Sequence, residues 1–388
     1  MPIREDVSYT AGPIPESLSA NASLNDILTF ARTHEASDVH LSASYPVMMR
    51  RFTRLIAQTS APLSLQHLEH LIRGCFEEHL LSEFLMRGDL ETIHTINDIH
   101  RYRITLTKHR QGWTITARII PLAIRNFEES GMPPAAKNLM QWSQGLVLIT
   151  GPAGCGKSST LATLIEIINQ TRHDHIIILE HPIEILFTEK NCQITQREIS
   201  THTLTQTSAL KAALREDPDI IVVSELRDLA SIQLAITAAE TGHLVLATMN
   251  TNDAAQTVTK LIGSFPPEEQ PVVTNMISES LRGIICQQLI PRRDGKGVVP
   301  AFEIFIVNNA VANIIREGKT RNLHNAISTG KSEGMVLLDH SLRELVAQGI
   351  IEESEAYARA VNKTLFAGTP QPSDPPPSPP IRKGEIFG

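Results

Sequence analysis

The sequence predicts an α/β protein in two parts, a small α+β domain followed by a larger domain built on a parallel sheet. Three observations predict it. After Gln144, short apolar runs at 146–150, 175–180, 219–224 and 243–248 alternate with helical stretches, as buried strands alternate with the helices that cover them. Between 24 and 120 the pattern is mixed and includes a two-strand hairpin. The length of 388 residues is that of two domains at roughly 100–200 residues each.

Taken in order, residues 1–20 hold Pro, Ser, Gly and charges without periodicity and are expected to be loose. Ser23 precedes Leu24-Asn25-Asp26-Ile27-Leu28, a capped helix start. Residues 37–42 alternate as a strand does, and 63–84 read as one or two helices. Residues 101–106 and 113–120 form the expected hairpin, turning near Gln111-Gly112. These elements make a domain over 21–122, with a linker at 123–135. The second domain runs over 136–366, its helical texture continuing after the fourth apolar strand. Residues 370–380 hold seven prolines in eleven positions, so the tail from 367 to 388 is read as disordered and extended.

Composition removes several classes. Hydrophobic residues make up 41%, enough for a sizeable core. The net charge of −7 and an aromatic content of 4% disfavour a nucleic-acid coat or a base-stacking platform. Cys75, Cys155, Cys192 and Cys286 lie far apart without a CxxC pair, which argues against a zinc knuckle and fits a reducing compartment. No signal-peptide pattern and no apolar run of about 18 residues are visible. His100, His109, His173 and His175 show no metal-ligand spacing.

The chemistry centres on Gly151-Pro152-Ala153-Gly154-Cys155-Gly156-Lys157-Ser158, which matches G-x-x-x-x-G-K-[ST] between an apolar strand and a helix opening at Ser159. Glycines admit backbone N–H groups to phosphate oxygens, and the helix N-terminus adds dipole charge. Lys157 is expected on the β/γ-phosphates of ATP and Ser158 on Mg²⁺. Glu225 follows four apolar residues at a strand end and is the expected metal-side carboxylate. A second strand ends in Glu180, followed by His181-Pro182-Ile183-Glu184. Glu180 and Glu184 could polarise an attacking water, though the pattern alone fits surface-turn residues equally well. Arg101, Arg103 and Arg118 read, from the residues alone, as exposed basic positions on strands.

The combination resembles the type II/IV secretion ATPase superfamily, and within it the PilT-type retraction ATPases of type IV pili. Glu180-His181-Pro182-Ile183-Glu184 is similar to their Asp box, residues 214–228 to their Walker B, and residues 238–248 to the opening of their His box, with His243 in it. Gln196-Arg197-Glu198, Phe265-Pro266 and Ile314-Ile315-Arg316-Glu317 support the likeness. The resemblance implies a PAS-like first domain, a RecA-like ATPase domain and a homohexameric ring. It implies that Arg101, Arg103 and Arg118 point toward the phosphates, that Glu184 activates water, and that His243 and the Asn250 position belong to the catalytic set. It further implies a cytoplasmic protein, peripheral at the inner membrane through a pilus platform protein. A paralogous pilus motor is a further candidate partner, and no nucleic acid is expected. Four positions depart from the pattern: His181 replaces Asp, Ser224 replaces Gly, Asn250 replaces His, and Ala312 replaces the first Arg of the family signature tied to retraction. The expected function is a hexameric ATPase powering pilus retraction and twitching motility. The alternatives are a weakly hydrolysing coupling subunit, or the assembly ATPase of a related secretion system.

Overall fold

The computed structural model describes residues 18–19 and 22–366, apart from Thr53 and Ser60; most of the expected N-terminal segment and the whole proline-rich tail lie outside them. Ser23 starts the first helix as its sequence requires: its hydroxyl accepts from the Asp26 N–H, and the Asp26 carboxylate accepts from the Ser23 N–H. Helix α1 (Leu24–Thr33) is followed by β1 (Asp38–Ser42), β2 (Met48–Arg51) and β3 (Arg54–Ala57). Then come α2 (Leu65–Cys75), α3 (Glu78–Arg87), β4 (Asp89–Ile96), β5 (His100–His109) and β6 (Gly112–Ile119).

These strands form a six-stranded antiparallel sheet in the order β3-β2-β1-β6-β5-β4. The β5–β6 hairpin turns between His109 and Gly112. Period-2 alternation decides what each face carries. Tyr102, Ile104, Leu106, Ile115 and Ala117 are buried in the core with α1 and α2, so Arg101, Arg103 and Arg118 share the opposite face. Arg32, at the end of α1, braces the sheet: it donates to the Tyr102 hydroxyl (3.1 Å) and to the carbonyls of Ile120 (3.0 Å) and Arg101 (2.8 Å).

The stretch expected as a linker is partly structured. It contains α4 (Phe127–Ser130) and leads into α5 (Pro134–Asn138), and Met132, Ala135 and Ala136 are buried under the second sheet. That sheet is built from β7 (Gly145–Thr150), α6 (Lys157–Thr171), β8 (His175–Glu180), β9 (Gln193–Glu198), α7 (Gln206–Ala213), β10 (Ile220–Val223), α8 (Leu229–Glu240) and β11 (Leu244–Met249). Helices α9 (Ala254–Gly263) and α10 (Gln270–Ser280) lead to β12 (Leu281–Pro291) and β13 (Val298–Ile306). The strand order is β13-β12-β7-β11-β10-β8-β9, parallel throughout except for the antiparallel edge strand β13. Leu146, Leu148, Ile177 and Val223 pack into one helix layer, while Val147, Ile149, Ile178 and Val222 pack into the other. Burial on both faces is why these strands read as unbroken apolar runs. The Thr163 hydroxyl on α6 donates to the Arg125 carbonyl at 3.1 Å, tying that helix to the connecting segment.

The expectation of helical texture through to 366 fails at β12 and β13. Leu281 turns extended (φ −67°, ψ 126°) directly after the last turn of α10. The break is marked only by Gly283, where a Cβ would lie 2.8 Å from the Phe305 carbonyl. Beyond the sheet, α11 (Asn309–Arg316), α12 (Leu323–Thr329), α13 (Leu338–Ala347) and α14 (Glu353–Arg359) complete the described chain. None of its helices is long and apolar enough to cross a membrane.

Candidate active site

A parallel sheet brings the C-terminal ends of its strands to one edge, and the loops there make the natural ligand crevice. In register, Thr150 stands beside Met249, and Val223 beside both Ala247 and Leu179. The residues that follow each strand therefore meet along one edge: 151–158 after β7, Asn250 after β11, Ser224 and Glu225 after β10, and 181–184 after β8.

The loop after β7 turns at Gly151, Gly154 and Gly156, whose φ values of 145°, 76° and 91° lie where L side chains are strained. Pro152, Ala153, Gly154, Ser158 and Ser159 are exposed at its rim, while Cys155 is buried. Lys157 folds across the loop: its Nζ donates to the carbonyls of Gly151 (2.8 Å) and Pro152 (2.9 Å) and to Asn250 Oδ1 (2.8 Å). Burial pulls the Lys157 ammonium below the usual lysine range, with Glu225 among the groups that oppose the shift. Asn250 Nδ2 donates in turn to Glu225 Oε1. Glu225 Oε2 accepts from Arg227 at 2.7 Å. Asn250 thus links the loop lysine to the strand-end carboxylate, a link absent from any single sequence motif. The Thr248 hydroxyl donates to the Ser224 carbonyl, which ties the ends of β10 and β11 together.

The loop after β8 is held from both sides. The Ile183 N–H donates to Glu198 at 2.9 Å, and the Ile183 carbonyl accepts from Arg101 at 2.5 Å. Gln196 on β9 donates to the Ile185 carbonyl (2.8 Å) and accepts from the Phe187 N–H (3.1 Å). Glu184 then meets Arg103 of the first sheet at 2.6 Å, and Arg103 also pairs with Glu91 at 3.3 Å. Glu180 lies deeper. Burial, joined by the nearby Glu184 and Glu198 charges, pushes its carboxyl up to about 7, while the Gln196 hydrogen bond and Arg101 pull the other way. Burial also lowers Arg101, whose charge Glu198, Glu180 and Glu184 support. Because β8 is three strands from β7, its end is about 14 Å away within the sheet. Of the two carboxylates beyond that strand, Glu184 is the one ion-paired with an arginine of the first sheet.

Two expected residues stand elsewhere. His243 precedes β11, so the parallel sheet puts it at the opposite end from Asn250, one six-residue strand or about 20 Å away. There its ring contacts the Ala238 carbonyl at 3.0 Å and its own carbonyl accepts from the Gly145 N–H. Arg118 faces Arg103 across the hairpin, but its Nε donates to the buried Asp38 at 2.9 Å, within the first sheet. Arg227, Glu91 and Gln287 also shape the site, as do Gln196 and Glu198, for which the sequence offers a family likeness but no role. The signal for Gln287 was an uncharged polar residue inside an apolar strand run.

The donors available to Mg²⁺ are the Ser158 hydroxyl, exposed on the first turn of α6, and the Glu225 carboxylate. Both are hard oxygens, and among the described residues no group of three or more His, Cys, Asp or Glu forms a closed metal cage. The set fits an ion that keeps waters and phosphate oxygens in its shell. Bound there, Mg²⁺ would neutralise charge on the β- and γ-phosphates.

Comparison with known proteins shows the family. Residues 92–371 match the Type II/IV secretion system protein family. The chain is 40% identical over 337 residues to the type IV pilus retraction ATPase PilT of Pseudomonas aeruginosa, covering 87% of this chain and 98% of that one. It is 39% identical over 300 residues to a twitching motility protein of Neisseria gonorrhoeae, covering 77% of this chain and 80% of that one. The crystal structure of the pilus retraction motor PilT with bound ADP superposes with a TM-score of 0.78 at 33% identity, covering 89% of this chain and 98% of that one.

Proposed function

The chain belongs to the Type II/IV secretion system protein family, and from that premise we propose that it is an ATP-hydrolysing motor that powers type IV pilus retraction. The observation that carries the reading is the hydrogen-bonded line from Lys157 through Asn250 to Glu225 at the C-terminal edge of the sheet. In the proposed reaction, phosphate oxygens take over Lys157 from the Gly151 and Pro152 carbonyls. Ser158 and Glu225 hold the metal side. Glu184, aimed by the clamped Ile183 peptide and paired with Arg103, orients the water that attacks the γ-phosphate. Arg101 and Arg103 bring the first sheet to the phosphates as charge stabilisers. We assign residues 21–122 and 136–366 to two domains that close on the nucleotide. Six copies form the working ring, at the cytoplasmic face of the inner membrane on a pilus platform protein, with a paralogous motor as a further partner.

Purified full-length chain with ATP and Mg²⁺ is expected to release phosphate steadily, and Lys157→Ala to abolish it. A strain lacking the chain is expected to keep its pili and lose twitching. Wild-type phosphate release from Lys157→Ala would overturn the assignment.

Asn250 favours a second reading, a slowly hydrolysing coupling subunit. Its amide offers a fixed neutral acceptor to Lys157 and a donor to Glu225, where an imidazole could carry charge or a proton. Asn250→His is expected to raise turnover about tenfold, the worth of one stronger charge-assisted hydrogen bond, with a new pH dependence between pH 6 and 8. An unchanged, pH-flat rate would leave the strong motor as the better reading.

A further inference from the structure

We infer that Gln287 is a positioning residue of the nucleotide site, setting the shape of the phosphate loop from behind. The inference rests on reading residues 151–158 as a phosphate loop. Gln287 lies on β12, beside β7, and is 5% exposed. Both ends of its amide are used. Nε2 donates to the Cys155 carbonyl at 2.7 Å, and Oε1 accepts from the buried Thr160 hydroxyl on α6. One side chain therefore joins the back of the loop to the helix that the loop opens.

The backbone of the same residue closes the other side. A Cβ on Gly151 would lie 2.3 Å from the Gln287 carbonyl oxygen, and one on Gly156 would lie 2.8 Å from Gln287 Nε2. Two of the loop's glycines are thus required by close packing on Gln287 as well as by backbone angle. The consequence for the ligand follows from peptide planarity. In a trans peptide the C=O and the next N–H point in opposite directions. With the Cys155 carbonyl turned inward onto Gln287, the Gly156 N–H is turned outward, toward the side from which phosphate oxygens approach. A methionine of similar length fills the space but can neither donate to Cys155 nor accept from Thr160, so the peptide is free to rotate.

The test uses the full-length chain, with ADP affinity by calorimetry, steady-state phosphate release, and amide exchange. In Gln287→Met the ADP Kd and the KM for ATP are expected to rise about tenfold, the scale of one to two buried hydrogen bonds. The kcat should change less than threefold, since the loop grips ground and transition states alike. Exchange should quicken at residues 151–158 and not along β7, β11 and β12. Gln287→Glu, which keeps the acceptor for Thr160 and loses the amide donor, should weaken ADP in the same way, and Thr160→Val about threefold. An ADP Kd within twofold of wild type in Gln287→Met and Thr160→Val would overturn the inference, as would exchange that quickens across the whole sheet. If Gln287→Met does not fold, Thr160→Val decides alone, and an unchanged Kd there counts against it. Lys157→Ala run in parallel separates the two readings. Retained ADP binding in it refutes the phosphate loop itself, whereas its loss beside unaffected Gln287 variants refutes only the role of Gln287.

Discussion

Arg103 and Arg118 face one another across β5 and β6, yet their guanidinium groups have different employment. Arg103 reaches out of its sheet to Glu184, on the loop after β8, while also pairing with Glu91, whereas Arg118 pairs with Asp38 inside the first sheet. The sequence makes them equivalent, since both are strand arginines on the same face; only the partner tells them apart, and the partners are distant in the chain. Arg103→Ala is expected to lower kcat ten- to a hundredfold, the effect of losing one charge-assisted bond of about 1.5–3 kcal/mol. ADP affinity should hold within threefold. Arg118→Ala is expected to change kcat less than threefold. Equal effects of the two substitutions would remove the distinction. His243 shows the converse. Its place in a motif suggested the site, but strand direction was already legible: it precedes β11, whereas the phosphate loop follows β7.

Among the elements, apolar runs set off by turn residues were readable, and strands with polar faces or without a break before them were not. β7, β8, β10 and β11 announce themselves as apolar runs. β9 is a partly exposed strand whose Gln196 and Glu198 serve the loop after β8, so its polarity hid a strand. β12 and β13 read as helix in the sequence because α10 runs into β12 through Leu281 without a turn. β13 also carries Glu303, 3% exposed, whose carboxylate accepts from the Ala254 N–H at the start of α9. Burial, with Asp253 and Asp339 adding to it, pushes this carboxyl up to about 7. Between its ordinary value of 4.5 and about 7 the folded protein keeps a proton that the unfolded chain releases. The stabilisation this gives is present at low pH and is lost as pH rises through 7. The melting temperature of the wild type is therefore expected to fall from pH 5 to pH 8. Glu303→Gln, which keeps an acceptor for Ala254, should flatten that fall and leave the residual slope to Glu180. Identical slopes in scanning calorimetry would contradict the assignment.

For the whole molecule, the sequence made the two-part α/β plan and the phosphate loop legible, because both rest on local patterns. No local pattern, only the family resemblance, pointed to Arg101 and Arg103 reaching the loop after β8, because that depends on how two separately built cores meet. The proposed ring is tested at this scale: with ATP and Mg²⁺, sedimentation is expected to give a mass six times the 42.8 kDa of the chain. A monomer at micromolar concentration would argue against it.

The anchors at the two ends of the connecting segment fix how movement can travel. Arg32 rivets Ile120 to the first sheet, and Thr163 on the phosphate-loop helix grips the Arg125 carbonyl. Only Pro121, Leu122, Ala123 and Ile124 are left between the two clamps. If the two domains close on the nucleotide as proposed, a tilt of α6 would reach the first sheet with only those four residues to absorb it.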